Sequence, residues 1–232
     1  VPLLHAISAA ALPKINEFQV QHLTNTAWAF ARRPVRDVPL MDSIASAAII
    51  RCGHIDVQGL ANMAWSLARL LLCNAPCMDA LSAASRAKIT ECTSQELSNT
   101  VWSFARLSVV DEPLLAAIAA AALRTISAFN AQELSNTALA FATLLRHDGP
   151  LSEAISSAAL RKIASGVADN QALSNMAWAF SKLECMDPPL RTAISSAAIA
   201  RIREFVPQGL SNMAWALARS SCDDWPLLEA IA

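Results

Sequence analysis

The amino-acid sequence predicts an all-α fold, an α-solenoid of about six tandem helix-turn-helix repeats of 37–39 residues. Two columns of residues recur with one period, at intervals of 37 residues with a single interval of 39. The first column is Asn25, Asn62, Asn99, Asn136, Asn175 and Asn212, and the second is Pro2, Pro39, Pro76, Pro113, Pro150, Pro189 and Pro226. With 54% hydrophobic residues, 232 residues can bury a sizeable core. We therefore expect a single repeat array over residues 1–232, as a fragment of a longer repeat protein.

Capping residues predict two helices in each repeat. The first helix begins near the proline, two residues after a good N-cap, at Asp37, Asn74, Asp111, Asp148, Asp187 or Asp224. The second begins six residues before the asparagine, at Asp56, Thr93, Asn130 or Asp169, and Thr93 with Glu96 resembles a capping box, as does Asn130 with Glu133. The two additional residues of the long repeat are expected in the turn at 164–171.

The second helix has two stripes on opposite sides. In the third repeat, Leu97, Val101 and Phe104 form an apolar face. The opposite side, called the amide–tryptophan stripe here, carries in successive repeats Gln21, Asn25, Trp28 and Arg32; Gln58, Asn62, Trp65 and Arg69; Gln95, Asn99, Trp102 and Arg106; Gln132, Asn136, Leu139 and Thr143; Gln171, Asn175, Trp178 and Lys182; Gln208, Asn212, Trp215 and Arg219. The fourth repeat loses its tryptophan and its cation together, which indicates that the two act as a pair.

Two interpretations of this stripe stay open. In the structural one, which we favour, the tryptophans pack against the next hairpin and the amides bond to backbone carbonyls at that seam. In the functional one, the stripe faces a groove where tryptophan stacks on bases and Arg32, Arg69, Arg106, Lys182 and Arg219 meet phosphates, a combination typical of single-stranded nucleic-acid binding.

The first helix offers two further columns. Opposite its buried side, which includes Leu114 and Ile118, stands a varied column that could read bases: His5, Asp42, Asp79, Glu153 and Thr192. Near its end stands a basic column that could contact phosphates: Lys14, Arg51, Lys88, Lys162 and Arg201. The alternatives are an ordinary solvated face for the first column and side chains that cover apolar surface for the second.

Composition narrows the classes of function. The formal net charge is −1, which gives no general sign of nucleic-acid or anionic-membrane binding. The sequence carries no catalytic constellation, so we expect no enzyme, no cofactor and no metal. The longest charge-free apolar run, 113–123, is about half of a bilayer crossing, so no membrane insertion is expected. No targeting peptide is visible.

The second helix of most repeats follows the motif Q-x-L-[ST]-N-[TM]-x-W-[AS]-[FL]-[AS], as in QELSNTVWSFA at 95–105. With its period and two-helix unit, this motif resembles the octotricopeptide and heptatricopeptide repeat families over nearly the whole chain. The resemblance implies a soluble organellar protein, of chloroplast or mitochondrion, that binds single-stranded RNA along its solenoid in RNA processing, stability or translation. The fourth repeat departs from the motif at Leu139 and Thr143.

Two functional hypotheses stay open. The first is non-enzymatic binding of single-stranded RNA by the helical repeats. The second is a protein-binding scaffold or structural subunit of a large organellar complex, such as a ribonucleoprotein, whose partners are other protein subunits. The low net charge and the faces rich in alanine and serine favour the second.

Overall fold

The computed structural model describes residues 2–219 and Ala230. In that part of the chain every regular element is a helix, which confirms the predicted all-α solenoid of six hairpins. The α-helices are Pro2–Ala11 (α1), Val20–Arg32 (α2), Val38–Arg51 (α3), Val57–Arg69 (α4), Ala75–Ala87 (α5), Ser94–Arg106 (α6), Glu112–Thr125 (α7), Ala131–Thr143 (α8), Gly149–Ala164 (α9), Asn170–Lys182 (α10), Pro188–Ile199 (α11) and Pro207–Arg219 (α12).

The chain divides into two compact units, with the boundary between residues 121 and 122, inside α7. In the first unit, α2, α4 and α6 stack in sequence order, α3 packs on α5, and each of α2 and α4 packs on the first helix of the next hairpin. The second unit has the same arrangement, with α8, α10 and α12 stacked and α9 packed on α11. A single array that includes both units stays a prediction.

The buried faces are those that the sequence predicts. Leu97, Val101 and Phe104 of α6 are at most 1% exposed, and Leu114 and Ile118 of α7 are fully buried. Burying a side chain of this kind stabilises the fold by about 1.5–3 kcal/mol. The apolar faces of first helices and of second helices therefore both contribute to the core.

The predicted caps are confirmed wherever the structure describes them. The side chain of Asp37 accepts the backbone N–H of Leu40, and the equivalent bonds form at Asn74, Asp111, Asp148 and Asp187. Asp56, Asn130 and Asp169 cap second helices, and the predicted capping boxes form at Thr93 and Asn130. Asp224 lies outside the described residues. Each cap satisfies a backbone donor that the first turn of a helix leaves unpaired.

Some caps also join successive hairpins. The hydroxyl of Ser82 in α5 donates to the carboxylate of Asp111, which caps the first helix of the next hairpin. In the second unit, Ser156 of α9 donates in the same way to Asp187. One carboxylate therefore both starts a helix and ties it to its neighbour.

Four second helices end on a residue in the left-handed region. This residue is not glycine but Leu71, Ser108, Leu145 or Glu184, with φ between 54° and 56°. The following N–H bonds to the carbonyl five residues earlier, as in Leu72 to Leu67, which is the Schellman arrangement. A left-handed non-glycine residue costs about 1–2 kcal/mol. The same strained backbone conformation therefore recurs in four repeats. The first repeat has Pro34 at this position, and the proline ring holds φ negative.

The long repeat has its additional residues where the sequence predicts them. A short 3-10 turn follows each of the first helices except α9, which continues as α-helix to Ala164. The chain then turns through Gly166, whose φ of 72° suits glycine, before Asp169 caps α10.

Candidate functional site

The amide–tryptophan stripe lies at the protein surface. All six of its glutamines are exposed, and so are Trp28 and Trp215, at 43% and 40%. The other tryptophans of the stripe, Trp65, Trp102 and Trp178, are half-buried. The stripe is therefore neither part of the core nor a fully solvated face.

The asparagine amides of the stripe have no partners within residues 2–219. None of the six makes a side-chain hydrogen bond there, including Asn175, which is only 8% exposed. The prediction that these amides bond to backbone carbonyls at the seam between hairpins is thus wrong. Carbonyls at the seam are reached by other side chains, as where Arg219 donates to the carbonyl of Ser181. The amides are left free to bond with something outside the chain.

The tryptophans and cations of the second unit form the predicted pairs. The ammonium of Lys182 lies 4.5 Å from the ring centre of Trp178, and the guanidinium of Arg219 lies 5.6 Å from that of Trp215. Both distances suit cation–π attraction. The two tryptophan rings also pack together with centres 5.8 Å apart, so part of the structural interpretation holds in this unit.

The stripe cations differ in how far they are engaged. Arg219 donates to the carbonyl of Ser181 and, at 2.9 Å, to the carboxylate of Glu184. Arg32, Arg69 and Arg106 are exposed and make no hydrogen bond or ion pair with any described residue. Three unengaged guanidinium groups therefore follow one another along the stacked helices of the first unit.

Two members of the basic column of the first helix, Arg51 and Lys88, join successive hairpins. Arg51 donates to the carbonyls of Phe18 and Asn16 in the preceding hairpin. Lys88 donates to the carbonyls of Gly53 and Ile55, at 3.0 and 2.6 Å.

The other members of this column are placed differently. Arg201 contacts a carbonyl of its own helix, Lys14 is exposed and Lys162 is half-buried. Phosphate binding by the column remains a prediction.

The varied column of the first helix is exposed throughout, at His5, Asp42, Asp79, Glu153 and Thr192. It lies on α1, α3, α5, α9 and α11, whereas the amide–tryptophan stripe lies on the second helices. Base reading by this column also remains a prediction.

Sequence reasoning missed two cavities between successive second helices. One, of about 390 Å³, lies between the beginnings of α2 and α4, and the other, of about 360 Å³, lies between those of α10 and α12. Each is lined by a glycine and by four stripe amides, namely Gln21, Asn25, Gln58 and Asn62, or Gln171, Asn175, Gln208 and Asn212. The signal was the glycine at 59 and 209, in the column where α6 and α8 carry capping-box glutamates.

The thiols near the hairpin cores are held protonated. Burial raises the pKa of the Cys77 thiol to about 12 and that of the Cys92 thiol to about 11. Cysteines of this kind behave as small apolar residues and are poor nucleophiles at neutral pH. Among residues 2–219, no cluster of His, Cys, Asp and Glu side chains could hold a metal ion, and no described helix is long and apolar enough to cross a membrane.

Comparison with known proteins gives one family. The family described as RNA-editing substrate-binding complex 6 protein matches residues 4–232 of this chain. A comparison with curated proteins gave no match. The matched range covers nearly the whole chain, including all the residues of the stripe.

Proposed function

The chain belongs to the RNA-editing substrate-binding complex 6 protein family, and from this premise we propose that it is a non-enzymatic subunit of an RNA-processing assembly that binds single-stranded RNA along the stripe of its first unit. In this proposal Arg32, Arg69 and Arg106 hold phosphates. The tryptophans beside them stack on bases, and the amides bond to base edges.

One observation carries this proposal. The three arginines are exposed and unengaged by any described residue, and each stands one helical turn after a tryptophan that is itself partly exposed. Guanidinium groups bind phosphate with directed hydrogen bonds, whereas an unengaged arginine adds little to stability. Because the helices that carry them stack in order, the arginines form a row that suits the backbone of an extended strand.

The near-neutral net charge is compatible with this site because the row is local. Only the phosphates that it contacts release counterions, so the salt dependence measures the number of contacts. For a single strand, a plot of the logarithm of the association constant against the logarithm of the salt concentration becomes steeper by about 0.7 for each phosphate contact.

The experiment measures binding of a randomised single-stranded RNA pool over a range of salt concentrations. We expect the triple variant Arg32→Gln, Arg69→Gln, Arg106→Gln to bind more weakly and to flatten the slope by about 2. The matched control removes three exposed arginines from first helices, with Arg86→Gln, Arg124→Gln and Arg161→Gln. Equal losses in both variants would show a diffuse charge effect, and no binding by the wild type at low salt would refute the proposal.

A second candidate function is a protein-binding scaffold in the same assembly. It is favoured by large apolar side chains that stay exposed, such as Ile50 at 84% and Leu3 at 72%. Solvent-facing residues of this size suit a protein interface when they lie together. Substituting Ile50 with Ser should then release a partner subunit in co-purification without changing RNA affinity.

Location and ancestry complete the proposal. An RNA-editing role suits the predicted organellar location in chloroplast or mitochondrion. The likeness of the second-helix motif to octotricopeptide and heptatricopeptide repeats is a finer relation that the family match leaves as a hypothesis. Imaging of a fluorescent fusion of the complete protein tests the location.

A further inference from the structure

We infer that the two cavities at Gly59 and Gly209 are nucleobase pockets, each of which receives one base that is turned out of a single strand. This inference rests on the proposed RNA-binding function and goes beyond it by naming the site and the chemical group that enters. The pockets belong to separate units, one to each, and each is argued within its own unit.

The first support is recurrence. The ten residues that line one cavity occupy the same ten repeat columns as the ten that line the other, displaced by 150 positions. The four amides, a small hydroxyl residue (Thr24 or Ser174) and a bulky apolar residue (Ile55 or Phe205) recur in both. The recurrence shows that both cavities arise from the same packing of successive second helices, in repeats that carry glycine where α6 and α8 carry a capping-box glutamate.

The second support is the glycine. A Cβ at Gly59 would lie 2.6 Å from the side chain of Ile55 and 2.8 Å from the carboxylate that caps α4. At Gly209 a Cβ would lie 3.1 Å from the ring of Phe205. The missing side chain lets the apolar residue lie close against the helix, where it forms one wall of the cavity.

The third support is the chemistry of the lining. Each amide offers one acceptor and two donors, and Asn or Gln can bond to adenine through two hydrogen bonds at once. Neither cavity is lined by Lys or Arg, and carboxylates stand at both, from Asp56 in the first and Glu204 in the second. Such a wall repels a phosphate and accepts an uncharged, planar, polar group. A cavity of 360–390 Å³ is large enough for a base.

The second cavity also contains an unpaired hydrogen-bond acceptor. The side-chain oxygen of Asn170, which lines it, is buried and has no hydrogen-bond partner among the described residues. The exposed carboxylate of Glu204 stands at the same cavity as a further acceptor. An exocyclic amino group, as in adenine, cytosine or guanine, supplies two N–H donors, whereas uracil has no amino group and offers only its single ring N3–H. The pocket at Gly209 should therefore prefer an amino-bearing base over uracil.

The pockets also fit the stripe beyond them. From Asn62 at the first pocket to Arg69 at the end of α4 is about 10 Å along the helix axis, with Trp65 between them. A base held by the amides thus leaves the adjoining strand free to run past the tryptophan to the arginine.

The experiment measures dissociation constants for 12-nucleotide oligoadenylate, oligouridylate and an abasic ribose-phosphate 12-mer by fluorescence anisotropy. The variants are Gln58→Leu with Asn62→Leu for the first pocket, and Gln208→Leu with Asn212→Leu for the second. The control, Gln132→Leu with Asn136→Leu, changes the same columns of α8, where Glu133 replaces the glycine and the tryptophan and cation are absent. Isosteric Gln58→Glu and Gln208→Glu serve if a leucine variant fails to fold, as judged by thermal unfolding.

We expect each pocket variant to bind oligoadenylate about 10-fold more weakly, with unchanged affinity for the abasic strand. The control should stay within about 2-fold of the wild type, and the second-pocket variant should lose the preference for oligoadenylate over oligouridylate.

Three results would overturn the inference. Unchanged oligoadenylate binding by the pocket variants would refute it while leaving phosphate binding by the arginines intact. So would loss of a protein subunit from the assembly without loss of RNA binding, since the cavities would then hold protein side chains. Failure of the wild type to bind any strand would refute the proposed function and the pockets together.

Discussion

The two units are built on one repeat, yet their stripes are used differently. In the first, three exposed arginines have no partner among the described residues. In the second, Thr143 replaces the first cation, Lys182 lies over its tryptophan, and Arg219 is held by Ser181 and Glu184. The motif alone does not distinguish Arg106 from Arg219. A repeat column therefore specifies where a side chain stands, and its neighbours decide what that side chain does.

The largest effect should be common to both units, because their cores are equivalent. Phe104 and Phe180 occupy the same column and are at most 2% exposed. Truncating either to alanine should lower the free energy of unfolding by about 3–5 kcal/mol. Chemical denaturation of the two variants, followed by hydrogen exchange in α6 and α10, checks this. A cost much smaller in one unit would show that the cores differ as well as the stripes.

An intermediate effect should separate the stripes. Replacing Arg219 with Gln removes its bonds to Ser181 and Glu184 and its contact with Trp215, and should cost about 1 kcal/mol, because the pair is largely exposed. The matched change Arg106→Gln should alter stability by less than about 0.5 kcal/mol. Thermal unfolding measures both. An equal loss for the two arginines would contradict the contrast between the units.

The smallest effect should appear at the left-handed column that both units share. Leu145 has a φ of 55° and is 68% exposed, so Leu145→Gly should relieve strain and stabilise the protein by about 0.5–1 kcal/mol. The control is Leu144→Gly, one residue earlier at a φ of −79°, which should destabilise it. Urea unfolding compares the two. Destabilisation by both would mean that the Leu145 side chain matters more than its backbone.

The sequence predicted those parts of the fold that depend on residues close together in the chain. The proline and its Asp or Asn cap act within one turn of the chain, so Asp37 or Asp148 predicts a helix start without knowledge of the neighbours. The left-handed ends were not predictable in this way, because Leu71 and Leu145 are residues that this conformation disfavours. The conformation accompanies the hydrogen bond from the next N–H to the carbonyl five residues earlier, which ends the helix whatever the residue type.

The candidate site was less predictable because its properties belong to pairs of repeats. The stripe itself followed from helical periodicity, and the joint replacement of tryptophan and cation by Leu139 and Thr143 indicated the tryptophan–cation pairs. The bonds of Arg51 and Lys88, however, depend on the loop of the preceding hairpin. The cavities depend likewise on two helices at once, and only the glycines at 59 and 209 marked them in advance.

The carbonyl groups that accept hydrogen bonds from Arg51 and Lys88 have a consequence for how a repeat protein lengthens in evolution. Both side chains bond only to main-chain carbonyls of the hairpin before them. Every residue type supplies a carbonyl, so this joint makes no demand on the identity of the preceding sequence. A duplicated hairpin that carries Arg or Lys in this column can therefore bond to any preceding hairpin whose turn presents its carbonyls as those of Phe18 and Gly53 are presented. Gene duplication can thus lengthen the protein and diversify its surface without a matching mutation at each new joint.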